Sequence, residues 1–400
     1  MTSAFWAQSP AARDELFATL RAVEEPIFCP REGTQGFYAL TRHAQVVEAA
    51  RVSKVFSSEP TAVRLDDLPS SAKKYGGSME SMDDPRHARL RRIVSRSFAP
   101  RMLARFDEAL RTRVTGLVNE LTDRRECDFV EAVATPLTLQ TVFSMMGIPE
   151  SAGQSLRDAA DVVLAISDSG SLDFGNPEER ESFIKEKFAH LHGFMKELGE
   201  VRRERPGEDL VSALVHANVD GEFLTDLELG RFFTLLIAAG VETTRHALSH
   251  AIHLLTENPA QREPLLDNLG EHLSTAVEEI VRCATPVTWH RRNLTSDYTL
   301  AGHPYRQGDR VILYYCSANR DEQVFNDPHA FNITRSPHPH VGFGGPGPHF
   351  CLGAHLARRQ MTVLLEELCT RLPGFHATAQ PTWVKASLVN GVERLPCSIA

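Results

Sequence analysis

The sequence has 400 residues, 42% of them hydrophobic, with 25 glycines, and this composition is ordinary for a chain with a substantial core and excludes intrinsic disorder. It carries 43 basic and 52 acidic residues, a formal net charge of −9, and so lacks the basic surplus that binding to nucleic-acid phosphates requires. The N-terminus has no signal-peptide pattern, and the longest uncharged apolar stretch, residues 232–241, is far shorter than the ~20 residues of a membrane span. Seven scattered cysteines without a C-x-x-C pair argue against disulfides. From the charge, the hydrophobicity and the cysteines together we expect a cytoplasmic protein with no membrane span and no nucleic-acid partner.

In the first two thirds of the chain, the sequence predicts a short β-containing region followed by helices. Residues 36–41, GFYALT, are typical of a strand that leads into a helix ending near Ala50, and residues 57–85 are rich in Ser, Pro, Gly and Asp, as long loops are. Apolar residues then repeat with helical spacing, interrupted by Gly-Ile-Pro at 147–149 and Asn-Pro at 258–259. The predicted helices cover residues 86–98, 101–122, 130–146, 151–167, 178–204 and 226–257.

The last third predicts strands and one more helix. Residues 297–316 alternate between polar and apolar around Gly302 and Gly308, which predicts a hairpin, and a final helix is predicted over 353–371. No repeat or linker separates two cores, so we expect one mainly α domain over 1–400 with a minor β region. Its predicted parts are a β-containing N-terminal region at about 25–60, a helical core at about 86–284, and a hairpin and cysteine-loop region at about 285–400.

The most unusual segment is VGFGGPGPHFCLG at residues 341–353, which formally matches the spacing of a dinucleotide-binding fingerprint. That site is excluded, because Pro337 and Pro339 prevent the preceding segment from forming the central strand that the fingerprint needs. A Walker A loop is excluded because there is no Gly-Lys-Ser/Thr. A buried structural role is the ordinary one for a single cysteine, but this loop lets a planar cofactor approach Cys351, and the helix that follows favours its metal-binding thiolate.

The loop resembles the haem-binding signature of the cytochrome P-450 family, Phe-Gly-x-Gly-x-His-x-Cys-x-Gly. The matching residues are Phe343, Gly344, Gly347, His349, Cys351 and Gly353. Phe343 stands eight residues before Cys351 instead of the usual seven. This spacing is similar to that of a bacterial subgroup with an FGGxGxHxC loop, several of whose members oxidise branched lipids or sterol side chains. The resemblance implies that Cys351 is the axial ligand of the iron of haem b.

A second motif lies in a predicted helix before the cysteine. Glu279 and Arg282 stand at i and i+3, a spacing that by itself is common in weak surface salt bridges. The pair resembles the family's structural E-x-x-R motif, and its distance of 72 residues from Cys351 agrees with the family. Many relatives supply a third partner, Arg or His, at the position that is Ala330 here. Either Arg282 has another partner, or backbone carbonyls serve instead.

Residues 238–244, AAGVETT, place an acid and two hydroxyls on an otherwise apolar helix, where polar residues ordinarily mark a turn toward solvent. Gly240 removes a side chain where a small molecule can lie against the helix, and Thr243 can bond back to a carbonyl one turn earlier. The segment resembles the family's oxygen-activation box A-G-x-E/D-T-T. The resemblance implies that Ala239 and Gly240 bind the cofactor and that Glu242 and Thr243 are the catalytic proton relay.

The two propionates of a haem need cationic or hydrogen-bonding partners if they are buried. The resemblance offers four such residues: His87 and Arg91 in an H-x-x-x-R motif, Arg292, and His349 of the cysteine loop. Two further arginines of the same basic helix, Arg86 and Arg89, are expected on a solvated face. Arg358 and Arg359, at the start of the helix after the cysteine, are expected to offer positive charge to an acidic ferredoxin.

Two alternatives come from other functional classes. His246, His250 and His253 lie near one helical face and suggest a zinc hydrolase, but the acid of an H-E-x-x-H motif is missing, and no G-x-S-x-G motif exists. A haem-based sensor is the second alternative, and Glu242 and Thr243 argue against it because a sensor needs no proton relay.

The resemblance covers nearly the whole chain and implies the cytochrome P-450 fold, a triangular prism with the haem between the long central helix and the cysteine loop. It implies a monooxygenase that hydroxylates an apolar small molecule with O2 and with electrons from a ferredoxin and its reductase. A monomer is expected. The segments that line the pocket in the family are mostly apolar here, which favours a lipid, steroid, terpenoid or other natural product as substrate.

Overall fold

The computed structural model describes residues 3–6, 8–67, 78–95, 98, 104–149, 152–153, 155–156, 158–159, 176–218 and 221–399. The chain forms two compact units. The first unit comprises Met1–Ser57, Asp107–Leu137 and Thr243–Ala400, and the second comprises Ser58–Phe106 and Thr138–Glu242. The single domain expected from the sequence stays a prediction.

Helices form most of the regular structure in the described residues. They are, in chain order, α1 Ser3–Trp6, α2 Pro10–Ala22, α3 His43–Arg51, α4 Arg86–Ser95, α5 Asp107–Arg124, α6 Thr135–Met146, α7 Pro177–Glu204, α8 Leu210–Val215, α9 Asp226–Glu257, α10 Pro259–Asp267, α11 Leu269–Ala284, α12 Tyr315–Ala318 and α13 Ala354–Arg371. A π-helical turn at Val130–Ala134 precedes α6, and 3-10 turns lie at Met79–Ser81 and Ala104–Phe106. The helix predicted at 151–167 falls mostly outside the described residues. No helix in the described part of the chain has the length and hydrophobicity needed to cross a membrane.

The strands in the described part of the chain all belong to the first unit. They are β1 Ile27–Cys29, β2 Phe37–Leu40, β3 Phe56–Ser57, β4 Glu126–Asp128, β5 Trp289–Leu294, β6 Tyr298–Leu300, β7 His303–Tyr305, β8 Arg310–Tyr314, β9 Phe375–Ala377, β10 Thr382–Trp383, β11 Val392–Arg394 and β12 Pro396–Ile399. The main sheet has the order β1-β2-β8-β5-β3, with β2 and β8 parallel and the other pairs antiparallel. Smaller sheets are β4-β12-β9, β10-β11 and β6-β7.

The hairpin predicted over 297–316 is correct only in its first part. β6 and β7 pair across Ala301 and Gly302, whose φ angles of +49° and +81° make a tight turn. β8 instead joins the main sheet between β2 and β5, where Val311 is opposite Arg292. Alternation of polar and apolar residues shows that a segment is extended, but it does not show which strand it pairs with.

The amphipathic helix α11 connects the core of the first unit to the site. Asn268 caps its first turn by accepting from the N–H of Glu271 at 3.2 Å, and the residue after the end of the helix, Thr285, has a left-handed φ of +36°. Its apolar face packs with α5, the second half of α9 and α13 in one hydrophobic cluster. This packing fixes the orientation of the acidic and basic residues that α11 carries, Glu278, Glu279 and Arg282.

Polar contacts between loops and helices organise the second unit. Asp209 caps α8 by accepting from the N–H of Ser212 at 2.8 Å. Arg202 on α7 donates to Asp209 at 2.5 Å and to the carbonyl oxygen of Gly147 at 3.1 Å. These bonds hold α7, α8 and the end of α6 together.

Candidate active site

The glycine-rich loop at 341–353 makes tight turns that end against the start of α13. Gly344, Gly345 and Gly347 have φ angles of +91°, +73° and +144°, which side chains other than glycine rarely adopt. A Cβ on Gly347 would overlap the carbonyl oxygen of Ala50, so only glycine fits there. The additional residue in this loop is accommodated because Gly344 and Gly345 both take left-handed angles.

Cys351 lies at the end of this loop and is exposed. Its N–H donates to the carbonyl oxygen of Phe343 at 2.9 Å, and α13 begins three residues later. The structure describes all seven cysteines, and the other six are buried or half-buried. Burial raises the pKa of Cys369 to about 11 and that of Cys316 to about 12, so both stay protonated at neutral pH. Cys351 is therefore the cysteine whose position suits a metal-binding thiolate.

The cysteine loop and Arg292, one of the predicted propionate partners, have the chemistry that a planar iron cofactor with carboxylates requires. A Cβ on Gly353 would lie 4.0 Å from Sγ of Cys351, and the other glycines of the loop add no bulk, so a flat group can approach the sulfur. His349 is half-buried in the same loop. Arg292 on β5 is 2% exposed although it carries a charge, and its Nη1 donates to the carbonyl oxygen of Arg291 at 2.8 Å. An accessible thiol, a low-bulk loop and a buried cation match the chemistry of iron protoporphyrin IX.

His87 and Arg91, the other predicted propionate partners, lie one turn apart on α4 in the second unit. His87 is 2% exposed, and its Nδ1 lies 3.4 Å from Oδ1 of Asp84. Burial lowers the pKa of His87, which favours a neutral imidazole that can donate one hydrogen bond. Their assembly with Arg292 and His349 into one site stays a prediction.

The two arginines of α4 that the sequence places in solvent behave differently. Arg86 is 62% exposed and lies 3.4 Å from Glu59, as expected of a surface residue. The prediction for Arg89 holds only in part: it is 26% exposed, forms ion pairs with Glu222 and with Glu228, and lies 2.7 Å from the latter. The basic spacing within α4 gave no sign of these carboxylates, because they come from a segment more than 130 residues later.

The polar segment of α9 contains accessible groups on a largely buried helix. Ala239 is exposed, and Gly240, Glu242 and Thr243 are half-buried. Glu242 and Thr243 are therefore each partly accessible to solvent. A Cβ on Gly240 would lie 3.3 Å from Cγ2 of Val142, so helix packing accounts for this glycine, and the contact with a small molecule expected there stays a prediction.

Glu279 and Arg282 form a fully buried ion pair, with both side chains 0% exposed. Arg282 donates to the two carboxylate oxygens at 2.8 and 2.7 Å. The third partner that the sequence left open is Arg335, whose Nε lies 3.2 and 3.1 Å from the same two oxygens. Burial alone would raise the pKa of Glu279, but Arg282 and Arg335 keep it below its ordinary value.

Backbone carbonyls complete this cluster, so both alternatives left open by Ala330 apply. Arg282 donates to the carbonyl oxygens of Asn319, Pro328 and Ala330 at 2.9, 2.7 and 2.8 Å. Arg335 also donates to the carbonyl oxygen of Asn326 at 2.6 Å. Sequence reasoning missed Arg335 because it lies outside the expected motif, although it follows Phe331 by only four residues.

Arg358 and Arg359 both have acidic partners in the first unit. Arg358 donates to Glu278 at 2.5 and 2.8 Å, and Arg359 pairs with Asp107. Their charge is therefore balanced locally, which weakens the expectation that these two arginines alone form a basic docking patch.

Of the three histidines that suggested a zinc site, His246 and His250 are buried and His253 is half-buried. His246 accepts from the N–H of Val392 at 3.2 Å, and Nε2 of His250 lies 3.0 Å from the carbonyl oxygen of Asn390. Burial lowers the pKa of His250 to about 3. Among the described residues, no three His, Cys, Asp or Glu side chains are grouped as metal ligands.

Comparison with known proteins gives a consistent result at every level. The family model "Cytochrome P450" matches residues 1–372. The methyl-branched lipid omega-hydroxylase of Mycobacterium tuberculosis is 42% identical over 98% of this chain and 92% of the relative, and the steroid C26-monooxygenase of Mycolicibacterium smegmatis is 36% identical over 90% and 83%. A Mycobacterium marinum cytochrome P450 solved with pseudoionone superposes with a TM-score of 0.91 at 38% identity, covering 99% of this chain and 97% of that one.

Proposed function

We propose that Cys351 binds the haem iron as a thiolate, because this chain belongs to the cytochrome P450 family and is therefore a haem-dependent monooxygenase. The observation that carries this proposal is the exposed thiol of Cys351 on a glycine-rich loop directly before α13. We assign the propionates to Arg292, His349, His87 and Arg91, and contacts with the macrocycle to Phe343, Gly344, Gly353, Ala239 and Gly240.

When bound, a thiolate-ligated haem activates O2 and supplies the oxidising power to place one oxygen atom in an unreactive C–H bond. The protein's task is to deliver protons and exclude bulk water. The carboxyl of Glu242 takes protons from solvent, for which its half-buried position is suitable. Oγ1 of Thr243, the next residue on the same helix, holds the proton that Glu242 passes on.

The proposed substrate is a lipid or steroid with a methyl-branched aliphatic chain, hydroxylated at or near the end of that chain. One relative is named for omega-hydroxylation of a methyl-branched lipid and another for oxidation of a steroid at C26, a terminal carbon of the side chain. Identities of 42% and 36% over at least 90% of this chain support a related substrate shape.

A spectral titration tests this substrate class. The haem spectrum of the purified protein is followed while a methyl-branched fatty acid, cholest-4-en-3-one and a straight-chain fatty acid of equal carbon number are added. We expect the branched compounds to bind at least tenfold more tightly than the straight-chain control, and product analysis to show a terminal hydroxyl. Equal affinity for the straight chain, or a product oxidised only on the steroid rings, would contradict the proposal.

The variant Cys351→Ser tests the ligand assignment. Serine keeps the size of the side chain but provides no thiolate, so the ferrous carbon monoxide complex should lose the red-shifted Soret band of thiolate-ligated haem. Cys369 is a half-buried cysteine of α13, so Cys369→Ser is the control and should keep that band. If Cys351→Ser retains it, another residue is the ligand.

A ferredoxin and its reductase are the proposed electron donors, with O2 as co-substrate, for a monomeric cytoplasmic enzyme. Phe350, the residue before Cys351, is 37% exposed, so part of the cysteine loop is accessible to a redox protein. The measurement is product formation with NADPH and reductase, with and without ferredoxin. Turnover should require ferredoxin, and a rate independent of it would contradict this part of the proposal.

A further inference from the structure

Glu278 and Glu279 are consecutive on α11 but contact different groups. Glu279 is directed to the buried arginine cluster, whereas Glu278 accepts from His340 and Arg358. Nε2 of His340 lies 3.0 Å from Oε2 of Glu278, and Arg358 donates to both carboxylate oxygens at 2.5 and 2.8 Å. The carboxylate of Glu278 therefore joins α11 to α13 and to the segment that enters the cysteine loop.

The first connection runs through His340. The N–H of Gly342, at the start of the loop, donates to Nδ1 of His340 at 3.2 Å. Because Nδ1 accepts this bond, the ring proton is on Nε2 and is donated to Glu278. The side chain of His340 is only 3% exposed, and that of Glu278 is 23% exposed, so water has access to this chain of bonds mainly at its Glu278 end.

The second connection runs through Arg358. Its guanidinium carbon lies 4.4 Å from the centre of the Phe343 ring, a cation–π contact whose geometry depends on the two bonds to Glu278. The carbonyl oxygen of Phe343 in turn accepts the N–H of Cys351 at 2.9 Å. The carboxylate of Glu278 is thus connected to Gly342 and Phe343 at the start of the loop, and through the carbonyl of Phe343 to Cys351 at its end.

We propose that Glu278 is a positioning residue for the cysteine loop: through Arg358 and Phe343 it sets the orientation and electron donation of the Cys351 sulfur toward the iron. This inference rests on the proposed function of Cys351 as the haem ligand. Burial alone would raise the pKa of Glu278, but Arg358 and His340 lower it to about 2, so the carboxylate stays ionised at all physiological pH values.

Glu278→Gln tests the inference, because glutamine keeps the side-chain length but loses the charge and one acceptor for Arg358. We expect the ratio of reduced to oxidised haem iron at a fixed potential to rise threefold to tenfold, since loss of a negative charge favours the reduced state. For a one-electron couple this change is about 28 to 59 mV. The thiolate band of the ferrous carbon monoxide complex should also decay faster than in the wild type.

Glu366→Gln is the matched control, because Glu366 lies on α13, is 44% exposed and pairs with Arg111 at 3.2 Å without contacting the loop. It should leave both the potential and the band unchanged. A loss of thermal stability in Glu278→Gln with an unchanged potential and band would overturn the inference, as would an equal shift in Glu366→Gln.

Arg358→Lys is the second variant, for use if Glu278→Gln retains no haem. Lysine keeps the positive charge but cannot form the two-bond fork to Glu278 or stack in the same way on Phe343. We expect faster decay of the thiolate band, and wild-type decay would overturn the inference. A wild-type protein that never shows the thiolate band would instead overturn the proposed function.

Discussion

Thr243 and Thr244 are neighbours on α9 that differ in accessibility, because Thr243 is half-buried and Thr244 is 4% exposed. If Oγ1 of Thr243 holds the relayed proton, Thr243→Ala removes that group without changing the cysteine loop. Substrate affinity and consumption of O2 and reductant should therefore persist, while hydrogen peroxide is released in place of hydroxylated product. The measurement is product and peroxide formed per reductant oxidised.

The neighbouring hydroxyl provides the control for this prediction. Thr244→Ala should stay coupled, because its buried hydroxyl is not accessible to a ligand. If Thr243→Ala is as well coupled as the wild type, the Thr243/Thr244 double variant decides whether Thr244 replaces it. A fully coupled double variant would remove the relay role from this segment altogether.

Arg335 is the third partner of the buried Glu279–Arg282 pair. Arg335→Ala leaves Glu279 with a single cationic partner and removes donors from several carbonyls, in a place where side chains are 9% exposed or less. Removing one partner from a buried ion pair costs about 3 to 5 kcal/mol, and we expect the lower end because Arg282 remains. The measurement is the free energy of unfolding in urea with haem bound.

Arg394→Ala is the matched control for Arg335→Ala. Arg394 also pairs with an acid, at 3.1 Å from Asp128, but its side chain is 69% exposed. Solvent screens such a pair, so the loss should be below about 1 kcal/mol. Equal effects of the two variants would show that Arg335 does not stabilise the buried pair.

The sequence alone could identify residues whose chemistry is local. Cys351 stands out because glycines, prolines and a following helix start surround it within a few positions. Arg335, His340 and Glu278 could not be found in this way, since each acts through a partner 56 to 80 residues away. Such pairings depend on how the chain returns to α11, which no spacing rule encodes.

The same distinction holds for helices and strands. α9 spans Asp226–Glu257 as predicted, because its apolar periodicity is long and Asn258-Pro259 stops it. β5 was not predicted, and β8 was assigned to the wrong partner, because the register of the main sheet depends on pairing with β2 and β3 from the N-terminal region. Helix formation depends on contacts within one segment, whereas sheet order depends on distant ones.

Replacement by alanine should change the stability of the protein in opposite directions at two glycines on different elements. Gly347, with a φ of +144° in the cysteine loop, has no room for a Cβ, so Gly347→Ala should destabilise the protein by more than about 2 kcal/mol. Gly116 is exposed within α5 and has nothing within 4 Å of its Cβ position, so Gly116→Ala should stabilise it by ~0.5 to 1 kcal/mol. Urea unfolding measures both, and a neutral Gly347→Ala would contradict the loop geometry.

At the scale of the whole molecule, buried histidines should make stability depend on pH. His250 is 5% exposed, and burial lowers its pKa to about 3, with His246, His253 and Arg13 nearby further opposing a positive charge. The unfolded chain binds a proton at this residue near pH 6.5, whereas the folded chain does not. The stabilisation is therefore complete above about pH 6.5 and is lost progressively as the pH falls toward 3.

Between pH 6.5 and 5, carboxylates with ordinary or lowered pKa values contribute little, so this window reports on histidines. His250→Gln keeps a donor for the carbonyl oxygen of Asn390, now 3.0 Å from the histidine, but cannot be protonated. As the pH falls from 6.5 to 5, the free energy of unfolding of the wild type should decrease more steeply than that of the variant, by up to about 1.4 kcal/mol per pH unit. His190→Gln, on an exposed position of α7, should keep the wild-type slope. Parallel curves for His250→Gln and the wild type would show that His250 binds its proton equally well in the folded and the unfolded protein.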